Sequence, residues 1–464
     1  MLGVVGITDY GFYVPRYRLE RSEIARSWGR RGGKGERAVA NYDEDSFTLA
    51  TEAASRCLEG GTGSPDAVFF ASTSSPYGEK QVASYVATVC DLPRGLWSAD
   101  FTGSARAGLS AVLAAWHAVA SGRCRDVLVT AADVRVAEVE GELEAWFGDG
   151  AAALRVGRDG VLAEFVDSAS VSEEFTHFWR LDDSRTVRVF SGRFSDTYGY
   201  VRDVSEAARA LVDRHRLGKT SLRLVVASTG SRAALDLAKA LGLDPERQLV
   251  TPPYDRLGST GVADPLFALV RGLETSSAGD RLLLAGYGEG ADVLLLRVHR
   301  KVQKPALENH LGDRLPLPSY AKYLKFRRLL PFEETGEAIT NVLEFKELEQ
   351  DVRLHGNRCR HCGLVQYPMA RVCLGCRRPD GLEPHKLERR GEIFTFTVDH
   401  LIANVELPLP MLVVELNGGG RLYVQGTDMT EEEARVGKPV VLTFRRLHDG
   451  GGNHNYFWKA RPPR

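Results

Sequence analysis

Four cysteines stand at a spacing that serves metal chemistry. Cys359-Arg360-His361-Cys362 and Cys373-Leu374-Gly375-Cys376 are two C-x-x-C units separated by residues 363–372. Two such knuckles fold as tight turns facing each other and bring four thiolates to tetrahedral zinc distances. All-sulfur ligation leaves no open coordination position, so the spacing predicts a structural zinc and not a catalytic one. Gly363 and Gly375 are expected to relax the two knuckle backbones, and residues 364–367 suit a hairpin strand between them. His361 could in principle compete as a ligand, but the four cysteines already complete the site. The remaining thiols, Cys57, Cys90 and Cys124, lie within or beside helical stretches and read as core or surface groups.

The elements that position this cluster change character along the chain. Through the first 300 residues, short β-branched runs (67–71, 126–131, 222–227, 281–285) alternate with Ala- and Leu-rich helical stretches (47–58, 108–121, 204–214, 233–241). That alternation predicts an α/β layered fold. An internal repeat sharpens it: Val68-Phe69-Phe70-Ala71-Ser72-Thr73 recurs as Leu224-Val225-Val226-Ala227-Ser228-Thr229. Phe147-Gly148-Asp149-Gly150-Ala151 then recurs as Tyr287-Gly288-Glu289-Gly290-Ala291, in the same order and at a similar offset. Two ordered pairs predict a duplicated α/β unit.

From 301 to 350, Pro305, Pro316, Pro318 and Pro331 punctuate a stretch without a clear period, which reads as a linker. Within it, Tyr320-Ala321-Lys322-Tyr323-Leu324-Lys325-Phe326-Arg327-Arg328 reads first as a short amphipathic helix covering apolar surface, and second as a docking or CoA-phosphate contact. The zinc ribbon is expected at 351–385. Alternating strands at 392–399, 411–416, 422–425, 440–444 and 456–459 follow, with Gly418-Gly419-Gly420 and Gly450-Gly451-Gly452 as turns. They predict a small closed OB-type barrel over 386–464.

Composition narrows the function. The chain has 464 residues, 43% hydrophobic and 26% charged, with a formal net charge of -1. That balance gives no reason to expect nucleic acid or an anionic membrane as partner, and the barrel strands lack the dense basic and aromatic patterning of a single-strand binder. No apolar run reaches the roughly 20 residues that span a bilayer, and the start lacks a signal-peptide pattern. An odd set of seven cysteines, four of them in C-x-x-C pairs, fits metal binding in a reducing compartment. A cytoplasmic protein is the expectation.

Gly6-Ile7, Tyr13-Val14-Pro15-Arg16-Tyr17-Arg18-Leu19, Phe147-Gly148-Asp149-Gly150-Ala151-Ala152-Ala153, Phe178-Trp179-Arg180, Gly192-Arg193-Phe194 and Gly286-Tyr287-Gly288-Glu289-Gly290-Ala291-Asp292 come in that order. This series resembles the hydroxymethylglutaryl-CoA synthases and ketoacyl synthases III of the thiolase superfamily over residues 1–300. The tail resembles the acyl-CoA-associated zinc-ribbon/OB family that accompanies thiolases and thiolase-fold aldolases. The resemblance implies a five-layer αβαβα body in two repeated halves that pairs as a homodimer.

The superfamily transfers acyl groups with a cysteine at a helix N-terminus, a histidine, and an asparagine or second histidine. Its synthases add a glutamate as general acid/base. Residue by residue, the resemblance places the cysteine at Ala105, the histidine at Ala227, the asparagine at Ser259 and the glutamate near Thr73. All four polar functions are lost. Ser104 is a substitute nucleophile only if a base serves it; otherwise it reads as the cap of a helix beginning near Ala105.

The reading that follows is a non-catalytic or scaffolding subunit of a thiolase-type acyl-CoA complex, with acyl-CoA as a possible ligand. The tail would dock a separate thiolase or aldolase subunit that makes or cleaves a carbon–carbon bond beside a thioester. The alternatives are an active acyltransferase or synthase using substituted residues, and a zinc-ribbon/OB nucleic-acid binder.

Overall fold

A computed structural model describes residues 3–61, 63–190, 192–230, 232–303, 305–331, 341–402 and 406–464. The chain divides into two compact units, Met1–Ala40 with Asp45–Val86 and Pro93–Tyr323, and Asn41–Glu44 with Ala87–Leu92 and Leu324–Arg464.

The first unit is organised around ten strands. In chain order these are β1 (Gly6–Tyr13), β2 (Ala67–Ala71), β3 (Trp97–Phe101), β4 (Val127–Asp133), β5 (Gly150–Gly157), β6 (Ala163–Ser172), β7 (Leu222–Val226), β8 (Leu249–Val250), β9 (Arg281–Tyr287) and β10 (Gly290–Val298). They hydrogen-bond in the order β8-β7-β9-β10-β6-β1-β5-β4-β2-β3. The order is a mirror of itself. Parallel β3-β2-β4 followed by antiparallel β5 and β1 matches parallel β8-β7-β9 followed by antiparallel β10 and β6. The halves meet where Gly6 and Ile7 of β1 pair with Glu164 and Ala163 of β6. The recurring sequences fall on equivalent places: the ends of β2 and β7, and the turns leading into β5 and β10. The duplication read from the sequence is therefore the topology.

Strands buried on both faces read as continuous apolar runs because neither face can be polar. In β9, Leu282 and Leu284 enter one buried cluster while Leu283 and Ala285 enter another. The first cluster holds helices α2 (Ala107–Ala120) and α5 (Asp264–Thr275), which lie between the two half-sheets. Helix α1 (Ser46–Glu59) covers the outer face of the first half, and α3 (Arg202–Arg214) with α4 (Ala233–Ala240) covers that of the second. Five αβαβα layers result. Helix α1 starts where the Asp45 side chain accepts the Thr48 N–H and the Thr48 hydroxyl accepts the Asp45 N–H, which satisfies helix-end donors reciprocally.

The stretch 301–350 departs from the linker expectation. Among its described residues are a helix at Leu307–Gly312, the helix α6 (Tyr320–Phe326) and a helix at Asn341–Glu347; 332–340 lie outside the described residues. Tyr320, Tyr323 and Phe326 are buried at helical spacing, which is the amphipathic pattern expected of α6.

In the second unit, β11 (His355–Cys359), β12 (Val365–Gln366) and β13 (Leu382–Lys386) form a small sheet. Five further strands follow: β14 (Arg390–Asp399), β15 (Leu409–Leu416), β16 (Arg421–Gln425), β17 (Pro439–Gly450) and β18 (Asn453–Arg461), in the order β16-β15-β14-β17-β18. A bridge from Gly426 to Ala460 ties the two edges together, so the sheet closes on a core that includes Ile393, Leu412, Val424, Leu442, Phe444 and Trp458. No helix among the described residues is long and apolar enough to cross a membrane.

One charged cluster is buried in this unit. Arg445 meets Asp43 at 3.2 Å, Glu44 at 2.7 Å and Asp428 at 2.6 Å, and Lys459 meets Asp43 at 2.9 Å, all essentially without solvent exposure. Burial pushes the Glu44 carboxyl up to about 7. For Asp43 burial acts the same way, but Lys459 and Arg445 outweigh it and hold the group below its ordinary value. Removing one partner of such a cluster strands the others. Arg445→Met is expected to cost about 3–5 kcal/mol of unfolding free energy, read by urea unfolding; a change within experimental error would contradict this account of the cluster.

Candidate functional site

The C-terminal ends of β2, β4 and β7 point to one region, where open and mixed α/β sheets gather their ligands. The peptide that connects Leu257 to α5 enters it as well. A cavity of about 40 Å³ lies there, and Ala105, Ala227 and Ser259 all line it, with Arg135, Tyr200, Asp264 and Tyr287 among the other walls. Three of the four positions assigned by resemblance are thus brought together. Thr73 is not among the lining residues; its hydroxyl donates to Asp133 at 2.9 Å.

Asp133 builds this corner. It is fully buried and accepts from the Ser72 hydroxyl at 3.1 Å, the Thr73 N–H at 2.8 Å, the Ser74 N–H and hydroxyl at 3.0 and 2.8 Å, and the Val262 N–H at 3.0 Å. Its two oxygens therefore tie the turn after β2 to the peptide ahead of α5. Gly261 closes the approach with a φ of +62°, and a Cβ there would stand 2.2 Å from an Asp133 oxygen. Position and backbone both require glycine.

Asp264, at the start of α5, accepts from the Ser259 hydroxyl at 2.6 Å and from the N–H and hydroxyl of Thr260 at 2.6 and 2.7 Å. Burial nevertheless holds its carboxyl above the ordinary value. Between the two carboxylates lies Arg135, which is 7% exposed. Its Nη2 donates to the Ser259 hydroxyl at 3.0 Å, and its guanidinium carbon stands 4.0 Å from the centre of the Phe147 ring. Burial pulls its pKa down while Asp133 and Asp264 pull it up, with a net lowering. Neither Arg135 nor the two carboxylates stood out in the sequence. The available signal was a pair of charges directly after an apolar strand run, at the sheet end where ligands bind.

Helix α2 begins at Ala107 with Arg106 as its cap residue, within one residue of the helical stretch expected at 108–121 and two residues after the start near Ala105 that the cap reading of Ser104 requires. Ser104 is therefore not the helix cap. Its hydroxyl accepts only a long 3.4 Å bond from the Arg106 N–H and packs against Gly288, because Ser104-Ala105-Arg106 forms a turn closed by Ala107 N–H to Ser104 C=O. Ser104 does not line the cavity. His177 is buried, stacks on Phe178 at 4.2 Å and is pushed down to about 4 by burial, so its ring is neutral near pH 7; it too is absent from the walls. Ala227 keeps only a backbone role, its carbonyl accepting the Tyr200 hydroxyl at 2.6 Å.

The second site is the sulfur cluster. The ligand atoms of Cys359, Cys362, Cys373 and Cys376 lie within 4.8 Å of one another. Sγ of Cys359 is 3.7 Å from that of Cys376, and Cys362 is 3.5 Å from Cys373. A tetrahedral metal with bonds of about 2.3 Å sets sulfurs roughly 3.8 Å apart, so the four thiols fit one. Gly363 takes a left-handed φ of +76° after the first knuckle, but in the second that role falls to Arg377, at +61°. Gly375 instead leaves room for Leu364 and the Cys362 sulfur. His361 faces Asp380 and Arg378, at 3.1 Å from each, and is not part of the cluster.

The family of ChsH2 C-terminal OB-fold domains matches residues 385–445. The hydroxymethylglutaryl-CoA synthase of Methanopyrus kandleri is 31% identical over 346 residues, covering 71% of this chain and 98% of that protein. A crystal structure of HMG-CoA synthase complexed with CoA superposes with a TM-score of 0.64 at 20% identity, over 72% of this chain and 93% of that one. 3-Oxoacyl-(acyl carrier protein) synthase III from Pseudomonas aeruginosa PAO1 superposes with a TM-score of 0.58 at 21% identity, over 65% and 100%. These likenesses define a thiolase-like α/β protein with an added OB-fold domain. The chain belongs to the hydroxymethylglutaryl-CoA synthase family.

Elemental analysis is expected to find one metal ion per chain. Cys373→Ser should release it and destabilise the tail, because metal binding supplies folding free energy in units this small. A metal-free tail that keeps its fold would overturn this.

Proposed function

We propose that this chain is a non-catalytic, scaffolding subunit of a thiolase-type acyl-CoA complex that forms or cleaves a carbon–carbon bond beside a thioester. One observation carries the reading: the cavity where the family's cysteine, histidine and asparagine would converge is walled by Ala105, Ala227 and Ser259. A methyl group can neither attack a thioester nor take a proton. The Ser259 hydroxyl is already committed, donating to Asp264 and accepting from Arg135. Thr73 offers no acid in place of the glutamate. Groups that act as a unit fail as a unit, so little specific chemistry survives their joint loss.

In this reading the body keeps the shape of its relatives and pairs as a homodimer, and acyl-CoA binds without turnover. The metal is a structural zinc held by Cys359, Cys362, Cys373 and Cys376. The ribbon and OB barrel dock a separate thiolase or thiolase-fold aldolase that supplies the reactive cysteine or base, in the cytoplasm. Names of relatives in the synthase family and the match to a ChsH2-type barrel support the acyl-CoA setting.

Release of free CoA tests it. The purified chain, given acetyl-CoA with acetoacetyl-CoA, is expected to release no thiol above the no-protein rate. Sustained release, lost on replacing a cavity residue, would show an active synthase working through substituted groups.

A further inference from the structure

A second cavity, of about 420 Å³, lies at the opposite end of β2 and β4 from the corner built by Asp133. Its walls come from β1, the end of α1, the residues that lead into β2 and β4, the turn between β5 and β6, and the chain after β10. The volume is that of a small-molecule site, but such sites are mostly apolar. This one is not. Every residue in its wall is glycine, serine, threonine, aspartate or arginine.

Local structure aims one acceptor at this space. Ile7 pairs with Val156 and Asp9 with Arg155, so Thr8 is an extra residue in β1, and such a bulge re-aims the side chains beside it. The Thr8 hydroxyl donates to the Arg155 carbonyl at 3.3 Å. Asp9 then lies against the end of α1, where a Cβ on Gly60 would stand 2.4 Å from its Oδ2. Oδ1 accepts the Tyr10 N–H at 2.8 Å, and among the described residues Oδ2 has no hydrogen-bond partner.

The wall holds four arginines and four aspartates. Arg125 pairs with Asp66 at 2.8 Å, and Arg155 pairs with Asp126. Arg300 forms no ion pair among the described residues. Its Nη2 donates to the Gly160 carbonyl at 2.6 Å, which leaves most of its five donors open. Arg300 acts on Asp9 through the field, yet the two do not touch. An acceptor and a donor fork thus stand apart across one polar space.

Three ligand classes fit poorly. An apolar group finds no apolar wall. A cation meets guanidinium groups that do not deprotonate. An anion meets Asp66, which the hydrogen bond from Arg125 holds below its ordinary value. A hydroxyl both donates and accepts, so it suits Asp9 and Arg300 without adding charge. Burial raises the Asp9 carboxyl, and a hydroxyl serves it in either state, because carboxylate and carboxylic acid both offer an acceptor oxygen.

We infer that this cavity is a binding site for a small uncharged cyclic polyol, whose hydroxyls bridge Asp9 and Arg300. The site is separate from the altered synthase cavity and independent of acyl-CoA.

Myo-inositol is the probe, a ring of six hydroxyls without charge. Cyclohexanol keeps the ring with one hydroxyl, and glycine betaine carries both charges and no hydroxyl. Saturation-transfer NMR titration of the full chain is expected to show myo-inositol binding at least about tenfold tighter than either comparator. Arg300→Ala and Asp9→Ala should each weaken it about tenfold, the scale of one hydrogen bond to a charged group, and acetyl-CoA should not displace it. Arg300 is exposed, so Arg300→Ala decides by itself if Asp9→Ala does not fold. No transfer to myo-inositol, equal or tighter binding of cyclohexanol or betaine, displacement by acetyl-CoA, or an affinity that Arg300→Ala leaves unchanged would each overturn the proposal.

Discussion

A single buried carboxylate holds the corner on which the site depends. Asp133 sits at the end of β4 and gathers donors from the turn after β2 and from the peptide ahead of α5. Those segments come from opposite halves of the duplicated body. A buried charge is tolerated only when its acceptor sites are filled, so the carboxylate fixes all three backbones at once. Gly261 must then be glycine, and Ser259 and Asp264 are carried to the cavity wall.

The consequence for function is a division between shape and chemistry. The half-sheets, the central helices and the turns before β5 and β10 keep the layout of a synthase, because burial on both faces of each strand depends on apolar volume and not on catalytic side chains. The reactive groups carry no such constraint. In the proposed reading, alanine at 105 and 227 leaves the packing intact while removing nucleophile and base, and Arg135 and Ser259 share a hydrogen bond in the same cavity wall. In the second unit the Arg445 cluster shows the same principle at work: charges far apart in sequence are buried together, and each requires the others.

Much of this was legible in the sequence, for reasons that differ by element. Strands such as Arg281–Tyr287 announce themselves because a two-sided burial leaves no polar position, and the repeat marks the duplication directly. The sulfur cluster is local, so spacing alone identifies it. What sequence reasoning missed is long-range or conformational. Asp133 and Arg135 look like solvated charges after a strand, and only the arrival of residues 259–264 buries them. Ser104 has the type of a helix cap, but the turn at 104–106 delays the helix to Ala107. Gly375 has the type of a left-handed residue, yet that conformation falls to Arg377, which follows its knuckle as Gly363 follows the first. The helices within 301–350 are short and lack a sustained period, so proline spacing alone suggested a linker.

The central claim is that the family's acyl-transfer site persists here as a pocket without a nucleophile. Intact-mass measurement of the purified chain after incubation with acetyl-CoA tests it most directly. The account predicts a mass unchanged from that of the untreated chain. A stable acetyl adduct mapped to Ser104 or Ser259, and abolished by Ser104→Ala or Ser259→Ala, would contradict it.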